Sequence, residues 1–152
     1  MPTIPLRAKV ATTLNGALLQ EVARLEHSWA FEFDKAALTT SFPWRVVTGG
    51  RLVLTSNDDG HQFGLPQPID AEKEATARLV GHKIIAAAVD AETADLRLTF
   101  DNGARLELPL GSVAYETWQL NTSDSCIVAA AEGRLSEARY VGSGVMVGGP
   151  WE

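Results

Sequence analysis

The stretch Asp95-Leu96-Arg97-Leu98-Thr99-Phe100-Asp101-Asn102-Gly103-Ala104-Arg105-Leu106-Glu107-Leu108-Pro109-Leu110 decides the class of the fold. Leu96, Leu98 and Phe100 alternate with Arg97 and Thr99. After Asp101-Asn102-Gly103, the apolar Leu106, Leu108 and Leu110 alternate with Glu107 and Pro109. A period of two sends the apolar side chains to one face of a sheet. Asn-Gly supplies the positive φ angles of a tight turn. The segment reads as a β-hairpin, with a third strand expected from Thr117 to Thr122 and a fourth from Cys126 to Ala130.

Moving outward, the first half repeats this plan. Leu14-Asn15-Gly16 recurs as Leu79-Val80-Gly81, and Phe31-Glu32-Phe33-Asp34 as Leu98-Thr99-Phe100-Asp101. Trp44-Arg45-Val46 recurs as Trp118-Gln119-Leu120, and Leu52-Val53-Leu54 as Cys126-Ile127-Val128. An internal pseudo-repeat of 14–60 and 79–134 is expected, in which Trp44 and Trp118 are equivalent core anchors. Trp29 is expected on the sheet of Phe31 and Phe33. The apolar positions Leu14, Leu18, Val22 and Leu25 also fit a helix. The counterpart from Gly81 to Asp90 reads better as a strand, so equivalence assigns strand to Leu14–His27, with helix as the alternative.

Between the halves, Gly64-Leu65-Pro66-Gln67-Pro68 punctuates the chain. Asp70 can cap a helix near 71–80, with Glu72 and Glu74 at its positive end and Gly81 closing it. The segment 142–152, rich in Gly and Pro, reads as a tail or an irregular final strand. The expected fold is α+β and mostly antiparallel β. Two related β-meanders pack around one core with a short connecting helix, in a single domain of 1–152.

Phe63-Gly64-Leu65-Pro66, Leu79-Val80-Gly81, Phe100-Asp101-Asn102-Gly103 and Tyr115-Glu116-Thr117-Trp118-Gln119-Leu120 together resemble a family of uncharacterised bacterial domains with a YExWxL-like signature. The resemblance spans roughly residues 10 to 135. It implies a domain of unknown function, and some proteins of this type resemble immunity proteins of bacterial toxin systems.

Bulk properties narrow the classes. The 152 residues carry a net charge of −6, with 45% hydrophobic and 21% charged residues. Nonspecific nucleic-acid binding needs excess Lys and Arg to neutralise phosphates, so no nucleic-acid partner is expected. The acidic balance favours a basic protein partner, and a homodimer is compatible with it. One cysteine excludes an intramolecular disulfide and favours a reducing compartment. The start Met1-Pro2-Thr3-Ile4-Pro5-Leu6-Arg7 lacks the run of a signal peptide, and Ile84–Val89 is too short to span a bilayer. A cytoplasmic protein without membrane partner is expected.

Chemical motifs are few. There is no phosphate loop, no GxSxG elbow and no HExxH pair. His27, His61 and His82 lie far apart and away from Cys126, so no metal and no cofactor are expected. Cys126 reads as a buried structural thiol without a basic neighbour. Asn57-Asp58-Asp59-Gly60-His61 reads as a turn rather than a calcium loop. Glu116 would share a face with Trp118 and Leu120 if its strand were extended, and burial would then raise its pKa toward that of an acid catalyst. A bend after Tyr115 would turn it to water instead. The expected function is a non-enzymatic binding or neutralising protein, with Tyr115, Glu116, His61 and Trp151 as binding candidates and no catalytic residue assigned. The alternatives are a small hydrolase using Glu116 and a histidine, or a small-ligand-binding β domain.

Overall fold

In the computed structural model, which describes residues 4–142 and 145–152, the chain begins with α1 (Leu6–Leu14). Five strands follow: β1 (Leu19–Arg24), β2 (Trp29–Phe33), β3 (Ala37–Thr40), β4 (Arg45–Thr48) and β5 (Arg51–Thr55). A 3₁₀ turn at Ser56–Asp58 and a loop lead to α2 (Ala71–Leu79). Seven more strands complete the chain: β6 (Ile84–Val89), β7 (Leu96–Phe100), β8 (Arg105–Leu108), β9 (Trp118–Asn121), β10 (Ser125–Ala130), β11 (Arg134–Val141) and β12 (Val145–Gly148). Met1-Pro2-Thr3 of the start and residues 143–144 of the Gly/Pro-rich segment lie outside the described residues.

The strands form two antiparallel sheets. The seven-stranded sheet has the order β1-β2-β3-β9-β10-β11-β12, and the five-stranded sheet β5-β4-β8-β7-β6. An isolated antiparallel bridge between Leu18 and Lys83 ties the two at the start of β1 and β6. The helices pack across the halves, α1 against β6 and α2 against β1. One hydrophobic cluster draws on both sheets and both helices, with Trp44, Trp118, Phe31 and Phe100 its largest buried side chains.

Local chemistry accounts for the elements. Asp70 Oδ1 accepts a hydrogen bond from Lys73 N at 3.1 Å, and Glu72 and Glu74 lie in the first turn of α2. Ala71, Ala75 and Leu79, four apart, form its buried stripe. The hairpin of β7 and β8 stands as read, but its turn is of a different type. Phe100 O accepts from Gly103 N at 2.9 Å, Phe100 N donates to Ala104 O at 2.8 Å, and Gly103 adopts φ +85°. Asn102 is not among the positive-φ residues. This is a three-residue loop with glycine in the left-handed position, so Gly103 alone supplies the conformation credited to the pair.

Three expectations change. The segment Leu14–His27 is a strand only over Leu19–Arg24, and Leu14 closes a helix the reading missed. Leu6, Val10 and Leu14 are buried at a spacing of four, and the carboxylate of Glu152 accepts from Leu6 N at 2.9 Å. Second, the meanders do not stay within their halves. β3 pairs with β9 and β4 with β8, so each half sends strands into the other's sheet. Third, register sets Leu54 opposite Val46 and Ile127 opposite Leu120, so the expected correspondence of Val53 with Ile127 does not hold in the strand pairing. Of the two readings of 142–152, the final strand is the one found: β12 pairs with β11, and Glu152 exchanges two backbone hydrogen bonds with Leu135, at 2.7 and 2.9 Å.

Candidate functional site

Three loops and the last residues of the chain meet at one end of the molecule: the β6–β7 turn (90–95), the β8–β9 loop (109–117) and the β10–β11 turn (131–133). Arg7 of α1 joins three of these segments, its guanidinium donating to the carbonyls of Asp90, Gly133 and Glu152. Val113 O accepts from Glu132 N at 2.8 Å, and the indole N–H of Trp118 donates to Ala94 O at 3.0 Å. Ser112 Oγ accepts from Ala114 N and Tyr115 N, and Thr117 Oγ1 from Gly111 N. These bonds brace the loop at Gly111, Ala114 and Tyr115 and tie its middle to the β10–β11 turn.

That arrangement is held at some cost. Ala94, Ala131 and Glu132 have φ of +61°, +41° and +65°, and Phe63 at +47° is the other non-glycine residue of this kind among those described. Each such conformation costs on the order of 1 kcal/mol and tends to gather at functional surfaces. On this braced frame Val113 and Tyr115 stand out into solvent, 77% and 74% exposed, and Trp151 is 44% exposed. Large apolar side chains on rigid loops offer contact area at small ordering cost.

The four residues singled out from sequence do not form one group. Tyr115 and Glu116 share the β8–β9 loop, and Trp151 precedes the Glu152 that Arg7 ties to that end. His61 lies elsewhere, in the loop before α2, stacked on Phe63 with ring centroids 5.4 Å apart. The bend after Tyr115 is the outcome for Glu116. Its carboxylate is exposed and accepts from Gln119 Nε2 at 2.8 Å, instead of lying beside the buried Trp118 ring. None of the five principal clefts among the described residues is lined by Glu116.

The remaining chemistry-bearing groups are engaged locally. His82 Nδ1 meets Asp101 Oδ1 at 2.7 Å, which with the amide of Lys83 holds that carboxyl below its usual range. Cys126 is buried on β10, and burial, reinforced by the charge of Glu116, pushes its thiol up. Asp59 does more than turn the chain. Its carboxylate takes Arg24 Nε and Nη2, both at 2.7 Å, and accepts from Ala71 N. Arg24 also reaches Asp70, lies over the Trp29 ring at 5.2 Å, and is raised in pKa by these carboxylates. The cluster fixes β1 to the start of α2.

Sequence reasoning passed over one charged cluster. Glu107 on β8 is only 6% exposed, although its side chain is on the face of the five-stranded sheet away from the core. Its carboxylate meets Arg45 Nε at 2.6 Å, Arg105 Nε at 2.7 Å and Arg97 Nε at 3.3 Å. Burial by itself would raise the carboxyl, and the hydrogen bonds and charges of Arg45 and Arg105 outweigh it and hold it below its usual range. A cleft of about 130 Å³ lies beside the cluster, bounded also by Asp90, Asp95 and Pro109 of the loop end. Alternation had placed Arg97 and Glu107 between the apolar positions of their strands; only strand pairing brings Arg45 to them from the other half of the chain.

Among the described residues, no group of three or more His, Cys, Asp or Glu could hold a metal ion, and no helix is long and apolar enough to cross a membrane. The model of a family of unknown function, DUF6188, matches residues 11–139. No curated protein and no solved structure matches the chain.

Proposed function

The chain belongs to this family of unknown function, and we propose from its surfaces that it is a protein-binding domain of the neutralising kind. It occupies a partner through the end that carries Val113, Tyr115 and Trp151. The observation behind this is the pairing of exposure with bracing. Among the described residues, the two most exposed large apolar side chains sit two residues apart on a loop in which the amides of Gly111, Ala114 and Tyr115 and the carbonyl of Val113 are hydrogen-bonded. An exposed apolar side chain gains free energy only when something covers it, and occlusion of a partner needs no catalytic group. Localisation in the cytoplasm follows from the single cysteine in this reading.

The test is co-expression with the product of the gene beside its own, followed by calorimetric titration of the purified pair. A complex should form, and Val113→Ser with Tyr115→Ser should weaken it about tenfold or more while the melting temperature holds. A complex indifferent to both substitutions, or turnover of a substrate lost on Glu116→Gln, would overturn the reading.

We further infer that the chain is a duplication whose copies exchange strands. Several pairs of features support this. A helix followed by five strands opens the chain, and α2 opens a second such run, β6 to β10, to which β11 and β12 are added. Gly16 and Gly81, just past α1 and α2, have φ of +82° and +88°. Asp34 accepts from Leu18 N at 2.9 Å, and Asp101 from Lys83 N at 3.3 Å. Both first strands shift register at the same place, between Leu19 and Glu21 and between Ile84 and Ala86. Fragments 1–66 and 67–152 should then be unfolded alone and regain β-sheet circular dichroism when mixed. Independent folding of either fragment contradicts the exchange.

A further inference from the structure

From their helix-covered ends, the two sheets run β1-β2-β3-β9-β10 and β6-β7-β8-β4-β5. Where the first passes from one half of the chain to the other, Leu38 faces Leu120; where the second does, Leu106 faces Val46. The match ends at the fifth strand. β11 pairs with β10 along Ser125–Ala130, and β12 pairs with β11, whereas β5 ends its sheet with β4 as neighbour.

A strand that ends a sheet leaves main-chain donors and acceptors without partners. At the helix-covered edges the chain supplies partners itself. Gly16 N donates to Ile84 O and Ile84 N to Ala17 O; Leu19 N donates to His82 O and Gly81 N to Leu19 O. Glu72 accepts from Arg24 N at the other end of β1. Nothing of this kind protects β5. Among the described residues, no group outside β4 hydrogen-bonds the main chain of Arg51–Thr55.

Nor does the chain double back along β5 as it does along β10. It leaves through the 3₁₀ turn and the loop 59–70, and a cleft of about 590 Å³ separates β5 from that loop. Val53 and Leu54 line it on one side, Leu65, Pro66 and Ile69 on the other. The register with β4 skips Val53, and this bulge gives the strand two adjacent apolar residues at the cleft. The loop is a firm wall. Gly60 N donates to Ile69 O, Ile69 N to His61 O and Gln62 Nε2 to Leu65 O, while Arg24 holds Asp59 and Asp70 at its two ends. Phe63 keeps a φ of +47° within it, and strain retained in a braced loop points to use rather than to folding. Leu52 and Leu65 remain exposed.

We propose that β5 is a docking edge for an extended segment of a protein partner, which adds an antiparallel strand to β5 as β11 does to β10 and sets alternate apolar side chains into the cleft. β11 shows the pattern, with Leu135 and Glu137 buried and Ser136 and Ala138 between them less so. Main-chain bonds supply affinity in such a mode, and the cleft supplies selection. Of the charged groups at the cleft, Asp70 is held by Arg24, and Lys73 and Glu74 are one of each sign, so apolar side chains choose the occupant. A second copy docked through its own β5 would leave the cleft unfilled, because its Leu54 is already buried in its own core. The proposal rests on the reading of the chain as a protein-binding domain with two equivalent halves, and adds a surface made by other residues than Val113 and Tyr115.

The probe is a capped octapeptide with the sequence of β11, Arg134–Val141, carrying Glu137→Val because that carboxylate serves Lys9 in its own sheet. It is titrated into the full, nitrogen-labelled chain, with amide signals followed by NMR. Signals of 51–55 and 65–70 should shift, and the β5 amides should exchange about tenfold more slowly at saturation. Leu135→Ser in the peptide should cost about tenfold in affinity, and Leu65→Ser in the chain about threefold while the melting temperature holds. Of two peptides N-methylated at alternate residues, one should bind as before and the other lose binding, since one set of amides faces β5. No shift up to about 1 mM peptide, shifts at β10 in place of β5, or an equal response to both methylated peptides would overturn the proposal. So would self-association that moves the β5 signals without peptide, which would make a second copy the occupant. Val113→Ser with Tyr115→Ser should leave the peptide bound. Peptide binding without a neighbouring-gene complex would refute the neutralising reading alone, and the reverse result the docking edge alone.

Discussion

Trp44 and Trp118 are the two largest side chains of the core, 1% and 0% exposed, yet their indole N–H groups fare differently. That of Trp118 donates to Ala94 O at 3.0 Å, whereas that of Trp44 is buried with no acceptor. The difference follows from the turns. The β6–β7 connection of 90–95 brings a carbonyl over Trp118, and the β1–β2 connection of 25–28 is two residues shorter. Trp→Phe at either site removes the same ring volume from a closed environment, so the cavity and transfer costs cancel to first order in the comparison. The polar terms do not cancel. Trp118→Phe strands the carbonyl of a fully buried residue, at about 1–3 kcal/mol, while Trp44→Phe deletes a donor that was already unpaired. Trp44 also packs edge-to-face with Trp29 and Phe31, at 5.0 and 5.4 Å, and a phenyl ring keeps that arrangement. Trp118→Phe should therefore cost about 2 kcal/mol more than Trp44→Phe. With a urea m-value of about 2 kcal/mol/M, the two midpoints should lie about 1 M apart. Far-UV circular dichroism is the readout, because it does not depend on the tryptophans removed. Equal midpoints, or a lower one for Trp44→Phe, would refute the hydrogen-bond argument.

Two further outcomes are expected. Gly133 has φ +77°, and a Cβ there would lie 2.5 Å from the carbonyl oxygen of Glu92, whereas Gly103, at φ +85°, has open space. Gly103→Ala should cost about 1 kcal/mol and Gly133→Ala at least about 1 kcal/mol more, since the β6–β7 turn must move; thermal melts of both decide it. The second concerns acid. Glu107 and Glu137 are both held below the ordinary glutamate value of 4.5, each against the upward push of burial, Glu107 by Arg45 and Arg105 and Glu137 by Lys9 and Arg139. A depressed carboxyl contributes stability that is complete above its unfolded pKa and is lost as pH falls through the folded one. Urea midpoints should thus stay level above about pH 5 and fall below pH 4.5, and the fall should be shallower in Glu107→Gln. An acid limb unchanged by that substitution would count against the arginine cluster.

The sequence by itself determined the features whose causes are local. The hairpin of β7 and β8, α2 with its Asp70 cap, and the buried thiol of Cys126 all follow from side-chain period, capping chemistry and turn residues within a few positions. The burial of Trp44 and Trp118 was legible from the matched segments around them. Non-local causes decided the rest. α1 was missed because its short apolar stripe lacks an N-terminal capping side chain of its own, and the group that fills the role, Glu152, lies at the other end of the chain. The pairing of β4 with β8 and of β9 with β3 leaves no local trace, since a strand's alternation fixes which face is buried and not which neighbour it pairs with. For the same reason Tyr115 could be marked as a candidate from its motif, whereas Arg45, Arg97 and Arg105 could not be seen as one group. Three of the four members of that cluster come from a single hairpin, and the fourth arrives only when β4 pairs with β8.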